Sequence, residues 1–164
     1  MNNLIIVILA TGAYLISALL LTLNALREKN HRSPLYLAWF AVALHCYILS
    51  QPYLQTLFFN FSFFNIASLI SGLVSLLLLI AAINKPVEKL GIALFPITAL
   101  MLGLNHLLPH TVQQLQTYTA PMHLHILSSI IAFSLLNIAA LQAILLALHE
   151  RQLRNHPPKR FILR

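Results

Sequence analysis

Five long apolar runs follow one another along the chain, and short segments that hold the charged residues separate them. The runs cover residues 4–26, 35–57, 64–84, 90–108 and 122–148. Each run is long enough to cross the hydrocarbon core of a bilayer as an α-helix, which needs about 20 residues. The pattern predicts an all-α fold, a polytopic transmembrane bundle of five helices that forms a single domain over residues 1–164.

Prolines fit this layout at most of its boundaries. Pro34 opens the second predicted helix at a tolerated first-turn position, and Pro86 and Pro121 lie in the connections before the fourth and fifth helices. Pro52 and Pro96 fall inside the second and fourth runs. Because a proline inside a helix frees a carbonyl group, we expect kinks at these two positions.

The basic residues predict the orientation of the bundle. All ten lie between runs one and two, between runs three and four, or after run five: Arg27, Lys29, Arg32, Lys85, Lys89, Arg151, Arg154, Lys159, Arg160 and Arg164. Because Lys and Arg near helix ends stay on the cytoplasmic side, we expect the amino terminus outside and the carboxyl terminus inside.

Composition supports a membrane class and argues against several others. The chain is 59% hydrophobic and 8% charged, with a mean hydropathy of +0.82, whereas a soluble domain has about 25% charged residues. The net charge of +7 comes from clusters at the ends of the apolar runs, which argues against a nucleic-acid partner and for the lipid bilayer as the surroundings. Cys46 is the single cysteine, so the chain has no internal disulfide.

Small residues recur four positions apart in two of the predicted helices, a spacing that lets transmembrane helices approach closely. They are Ala67, Ser71 and Ser75 in the third helix and Ala139, Ala143 and Ala147 in the fifth. We expect both small-residue faces to point into the bundle.

No enzyme signature is present in the sequence. The predicted outer half holds no acid or base other than histidine, which excludes hydrolysis by a carboxylate pair and an acidic proton relay within this chain. Phosphate loops and the common zinc-protease and serine-hydrolase motifs are also absent. The sequence therefore favours a protein that is not an enzyme.

Histidines are the remaining candidates for chemistry. His31, His149 and His156 accompany basic clusters and are predicted to face solvent or lipid headgroups. The other five, predicted in the membrane or on its outer side, are His45, His106, His110, His123 and His125. A neutral imidazole is a common haem-iron ligand, but a histidine in a membrane is also often a hydrogen-bonding residue between helices.

Helical geometry separates these candidates. His125 lies on the same side of helix five as a series of mostly small residues. We predict that this side faces the bundle and that His125 lies at its outer end, whereas His123 points nearly the opposite way. His106 and His110 flank Pro109 at the end of helix four and fit an interfacial position equally well.

His45 lies at a different depth from His125. It is about ten residues, or 15 Å, into helix two, near the middle of the membrane, whereas His125 is about one turn from the outer edge. Two axial nitrogens on one iron are only about 4 Å apart. We therefore expect His45 and His125 to belong to separate metal sites rather than to share one haem.

Two other function classes remain open. A small transporter or channel-like subunit would line a path with His45, Asn105, Asn137 and Gln142. A structural subunit would pack against other membrane proteins through its small-residue faces, and its histidines would be packing residues.

Several segments carry a resemblance to a known family. They are Met122–Ser134 with its Met-His-Leu-His start, Ala139-Ala140-Leu141-Gln142-Ala143, Leu44-His45, Phe63-Phe64-Asn65 before Ser68-Leu69-Ile70-Ser71, and Lys85-Pro86-Val87-Glu88. With these segments the chain resembles the cytochrome c assembly protein family, in particular its bacterial inner-membrane branch called YpjD, related to HemX and CcsA. The resemblance covers the whole chain, and the His125 segment is its most specific part.

The resemblance implies a haem-handling assembly factor in the bacterial inner membrane, with haem as the cofactor. His125 matches the outer-side axial ligand of the family, and His45 corresponds to an in-membrane histidine. Relatives continue for about three more helices, so the chain is similar to their amino-terminal portion. Other cytochrome c assembly components or a second copy of the chain are the expected protein partners.

Overall fold

The computed structural model describes residues 2–27, 32–56, 62–85, 87–108 and 120–155. The described part is helical. Its helices are α1 (Asn2–Leu26), α2 (Ser33–Thr56), α3 (Phe63–Asn84), α4 (Gly91–Leu107) and α5 (Ala120–Asn155), and a short 3-10 helix, Glu88–Leu90, leads into α4. All five α-helices contain a stretch long and apolar enough to cross a membrane. The predicted all-α bundle of five transmembrane helices is therefore confirmed for the described residues.

The predicted helix bounds agree closely with the structure, except at the end of α5. This helix continues to Asn155, seven residues beyond the predicted end at residue 148, or about 10 Å farther. The prediction stopped where hydropathy falls. The extra residues include Glu150, Arg151 and Arg154, which are favourable in a helix although they are not apolar.

Helices α1 to α4 form a four-helix unit, and α5 lies outside it against α3. Helix α1 packs on α2 and α4, and α3 packs on α2, α4 and α5. Helices α1 and α2 run in opposite directions, because Ser17 and Tyr14 of α1 meet Pro34 and His45 of α2 in reverse order along the chain. Helices α3 and α4 are antiparallel as well, since Asn65 and Ser75 meet Asn105 and Thr98. Short connections between antiparallel neighbours produce this up-and-down order.

The centre of the four-helix unit is a tightly packed apolar cluster. Tyr14 and Phe95 are fully buried, and their ring centroids lie 5.8 Å apart. Val42, Leu78 and Leu79 belong to the same cluster, each at most 3% exposed. Within a bilayer such contacts supply the association energy, because lipid tails are as apolar as the side chains and leave no hydrophobic driving force between helices.

The two small-residue faces differ in their surroundings. On α3, Ser71 and Ser75 are buried, as predicted. On α5, Ala139, Ala143 and Ala147 are all exposed, so the prediction that this face points into the bundle is wrong. Small residues allow a close approach, but their spacing does not say on which side the neighbouring helix lies.

Helix α5 is the least buried of the five. Only 11% of its most apolar stretch is buried, compared with 28–44% in the other helices. It meets the bundle through Ile130 and Ser134, which are buried on the side opposite Ala132 and Ala139. Most of the circumference of α5 therefore has no neighbour among the described residues.

The prolines take the expected places with one difference. Pro34 is the second residue of α2, and its carbonyl accepts a hydrogen bond from Ser17 Oγ at 2.8 Å. Pro96 lies inside α4. Pro121 does not precede α5 but lies in its first turn, where the missing N–H has no helical partner in any case. Pro86 lies outside the described residues.

Candidate functional site

His45 occupies the polar centre of the four-helix unit. Its side chain extends from α2 and is 1% exposed. The Nδ1 atom lies 3.3 Å from Tyr14 Oη on α1, and the Nε2 atom lies 3.0 Å from Ser68 Oγ on α3. One imidazole thus connects three helices through its two nitrogens.

A glycine allows α3 to approach the His45 ring. A Cβ atom added at Gly72 would lie 3.0 Å from His45 Cε1 and 3.2 Å from Nδ1. Such distances are shorter than carbon contacts of about 3.5–4.0 Å. The edge of the Tyr14 ring covers another side of the imidazole, with ring centroids 6.0 Å apart and planes at 83°. The ring is therefore confined by packing as well as by hydrogen bonds.

Both hydrogen bonds are compatible with a neutral imidazole. Neutral histidine has one nitrogen that donates and one that accepts, whereas the hydroxyls of Tyr14 and Ser68 do either. If Tyr14 donates to Nδ1, then Nε2–H donates to Ser68, and the opposite tautomer reverses both bonds. A single proton position satisfies the ring in each case.

This arrangement does not fit haem at His45. Iron needs the lone pair of one imidazole nitrogen, and both nitrogens are engaged within the bundle. Within the described residues the ring is also closely covered by Tyr14 and by the backbone at Gly72. An open groove of about 400 Å³ lies between α1 and α2, but apolar side chains such as Ile8, Leu9 and Phe40 line it, and His45 does not.

The polar contacts continue from His45 along α3 to α4. Ser71 Oγ donates to the Ser68 carbonyl at 2.9 Å, and Ser75 Oγ lies 2.8 Å from Thr98 Oγ1. Thr98 also donates to the Leu94 carbonyl at 3.1 Å. These hydroxyls are buried, so hydrogen bonds within and between helices satisfy them where water is absent.

Sequence reasoning missed most partners of His45. Ser68 could have been found, because it lies on the same helical face as Ser71 and Ser75 at positions three and seven earlier. Tyr14 lies on a different helix from His45, and helical spacing does not connect residues on different helices.

The amide groups proposed to line a transport path lie in different places. Asn105 is 7% exposed and donates through Nδ2 to Asn65 Oδ1 at 3.4 Å, while its own Oδ1 has no hydrogen bond within the described part. Asn137 is exposed and donates to the carbonyl of Phe133 on its own helix. Gln142 is exposed as well. These groups and His45 do not converge on one path among the described residues.

His125 lies in the second turn of α5 and is exposed. Its carbonyl accepts hydrogen bonds from Ser128 Oγ at 2.9 Å and Ser129 Oγ at 2.8 Å. Its imidazole makes no hydrogen bond to another described residue. The prediction that His125 heads the bundle-facing side of α5 is wrong, because α5 turns the face of Ile130 and Ser134 toward α3 instead.

The structure does not bring the candidate histidines together. His45 is enclosed by α1 and α3, whereas His125 is exposed on α5. His106 is exposed in the last turn of α4. Among the described residues, no three His, Cys, Asp or Glu side chains cluster as a metal site. His31, His110 and His156 lie outside the described residues, as do the side chains of His123 and His149.

Comparisons with protein-family models, with curated proteins and with solved structures find no match for this chain. The resemblance to the cytochrome c assembly family therefore stays a prediction from the sequence segments. What holds independently is the architecture, five membrane-spanning helices of a multi-pass membrane protein.

Proposed function

We propose that this chain is a haem-handling protein of the bacterial inner membrane, a factor of the cytochrome c assembly type rather than an enzyme. The observation that carries the proposal is His125, an exposed imidazole near the amino-terminal end of α5 with no hydrogen bond to the other described residues. An accessible imidazole is a common axial ligand of haem iron in proteins. The resemblance of Met122–Ser134 to the family supports the same assignment.

In this proposal the two histidines have different roles. His125 holds iron from the surface of the bundle, and bound haem would supply the iron chemistry. His45 positions α1, α2 and α3 through Tyr14 and Ser68. We therefore propose one haem site, at His125, in place of the two separate sites that the sequence predicted. The second axial ligand of this site lies outside the described residues or on another chain.

The basic residues support an orientation for this site. We place the amino terminus and the connections α2–α3 and α4–α5 outside, because all ten Lys and Arg residues belong to the other side. His125 then lies at the outer surface. This is the side on which haem would be transferred to an apocytochrome or another assembly component.

Haem titration of the detergent-purified full-length chain tests the proposal. We expect a Soret band that forms on adding haem and is diminished in His125→Ala. His106→Ala is the matched control, because His106 is also exposed and near a helix end, and its spectrum should equal that of the unaltered protein. Because His125 is exposed, its replacement should leave the helical circular dichroism unchanged.

Two results would overturn this function. One is the absence of a haem-specific Soret band in the unaltered protein after supplementation. The other is equal loss of the band in His106→Ala and His125→Ala, which would indicate adsorption of haem to surface histidines.

A structural membrane subunit is the second candidate function. It is favoured by His45, whose two nitrogens bond neighbouring helices as expected of a packing residue. The protein would then remain colourless with haem, and its stability would still depend on His45.

A further inference from the structure

A chain of polar contacts passes through the interior of the four-helix unit. Five side chains form it, each in contact with the next, in the order Ser68, His45, Tyr14, Ser75 and Thr98. The first two contacts are the bonds of the His45 ring described above, and the Tyr14 hydroxyl also has Ser75 as a hydrogen-bond partner. Ser75 Oγ lies 2.8 Å from Thr98 Oγ1. Each of the five residues is at most 1% exposed, so protein groups must satisfy their hydrogen bonds.

Helix α3 contributes to this chain at two levels. Ser68 and Ser75 are seven residues apart on one face of the helix, which corresponds to about 10 Å along its axis. Gly72 lies between them, and the His45 ring packs against its backbone. The imidazole and the Tyr14 hydroxyl therefore bridge the space from one serine to the other.

The two ends of the chain differ in their acceptors. Thr98 Oγ1 lies 3.1 Å from the Leu94 carbonyl oxygen and 3.3 Å from the Ser71 carbonyl oxygen, and a carbonyl oxygen only accepts. At the other end, Ser68 Oγ has His45 Nε2 as its one hydrogen-bond partner among the described residues. A hydroxyl hydrogen thus finds a carbonyl acceptor at Thr98, whereas at Ser68 it finds only the imidazole.

This difference selects a direction, although each contact taken alone allows either donor. If Nε2 carries the ring proton, Ser68 must accept it, and the Ser68 hydroxyl hydrogen is then left without an acceptor. If Nδ1 carries the proton, Ser68 donates to Nε2 and Nδ1–H donates to Tyr14. The hydrogens of Tyr14, Ser75 and Thr98 then all point onward to a carbonyl. A buried donor without an acceptor is costly, so the second order is favoured.

We infer that the buried hydroxyls hold His45 as its Nδ1–H tautomer, with one proton order along the whole chain. In this order the lone pair of the ring is on Nε2, where the Ser68 hydroxyl covers it. His45 is thereby a positioning residue. Its ring is oriented by α1 and α3 directly, and by α4 through Ser75 and Thr98. The inference concerns the interior of the bundle and does not depend on haem at His125.

Nitrogen-15 NMR of the full-length chain in lipid bilayers tests the tautomer. The protein is labelled at histidine, and the His45 ring signals are assigned through its backbone. A protonated ring nitrogen is distinguished from an unprotonated one by its chemical shift and by its attached hydrogen. We expect the hydrogen on Nδ1 and none on Nε2. A hydrogen on Nε2, or equal amounts of the two tautomers, would overturn the inference.

Two serine variants test the direction of the chain. Ser75→Ala removes the acceptor of the Tyr14 hydroxyl, so either tautomer then leaves one donor unsatisfied, and we expect signals of both. Ser68→Ala removes only the group that covers Nε2. Since the chain from Nδ1 to Thr98 remains complete, this variant should keep the Nδ1–H tautomer.

Ser71→Ala is the matched control for both variants. Ser71 is buried on the same helix, and its hydroxyl donates to the Ser68 carbonyl of α3 itself, so its loss should leave the tautomer unchanged. An unchanged tautomer in Ser75→Ala, or a changed one in Ser68→Ala or Ser71→Ala, would contradict the proton order. The spectrum of the unaltered protein decides the tautomer even where a variant does not fold.

Discussion

At the scale of single residues, the position of His45 depends on what surrounds it. Both ring nitrogens are hydrogen-bonded, and the ring rests on Gly72 of α3. In membrane proteins a hydrogen bond between helices contributes about 0.6 kcal/mol on average, so packing around the ring matters as much as either bond. The combination keeps α1, α2 and α3 in one register.

Replacing Gly72 with alanine should destabilise the protein. The new Cβ would lie 3.0 Å from His45 Cε1, and the ring cannot withdraw without lengthening its bonds to Tyr14 and Ser68. We expect a loss of about 1–3 kcal/mol in the free energy of unfolding, the usual cost of overpacking a core, measured by denaturation in mixed micelles.

Gly103→Ala provides the control for that measurement. A Cβ at Gly103 meets no atom within 4 Å, and alanine favours a helix over glycine by about 1 kcal/mol. This variant should be unchanged or more stable. A Gly72→Ala protein as stable as Gly103→Ala would contradict the close packing of α3 on His45.

At the scale of elements, buried hydroxyls pair α3 with α4. Ser75 and Thr98 lie 2.8 Å apart. Thr98 also donates to the Leu94 carbonyl of its own helix at 3.1 Å. Thr98 Oγ1 also lies 3.3 Å from the Ser71 carbonyl on α3, and in this pair taken alone either hydroxyl can be the donor between Ser75 and Thr98. The pair thus joins the two helices at one depth, and α4 has further contact with α1 through Phe95 and Tyr14.

Thr98→Val should weaken the contact between α3 and α4. Valine has a similar shape but removes the hydroxyl that pairs with Ser75 Oγ and reaches the Ser71 carbonyl on α3. We expect a loss of about 0.6–1.7 kcal/mol in stability, measured by thermal unfolding in detergent.

Thr22→Val distinguishes this effect from loss of a hydroxyl in general. Thr22 donates only to the Ala18 carbonyl of its own helix, at 2.8 Å, so its replacement should change stability by a few tenths of a kcal/mol. Equal losses in the two variants would contradict a contribution specific to the interface of α3 with α4.

At the scale of the whole molecule, five apolar helices and a one-sided charge distribution make orientation testable. Lys and Arg residues lie in the connections α1–α2 and α3–α4, such as Arg27 and Lys85, or near the carboxyl-terminal end of α5, such as Arg151, and the alternate segments have none. The charge asymmetry favours the cytoplasm for the basic side.

Single cysteines in a Cys46→Ser background test this orientation. Ser62→Cys, before α3, should react with a membrane-impermeant thiol reagent in intact cells. Glu88→Cys, before α4, should react only after permeabilisation. The reverse labelling pattern would invert the bundle and place His125 on the cytoplasmic side.

The sequence by itself determined the number of helices, their approximate bounds and the apolar class of the protein. A helix needs about 20 consecutive apolar residues to cross the hydrocarbon core. Each of the five runs meets this length by itself, so the helices can be predicted one at a time. The sequence also singled out His45 as a polar residue near the middle of the membrane, and Ser71 and Ser75 as part of an inward face.

Only the tertiary structure decided which helices meet and which side of each helix faces inward. Tyr14, Ser68 and Gly72 surround His45 from two other helices, and their distances along the chain follow no local period. The outward position of His125 has the same origin. Small residues and a histidine are compatible with helix contacts on any side of α5. The side that faces the bundle is the one on which Ile130 and Ser134 are buried.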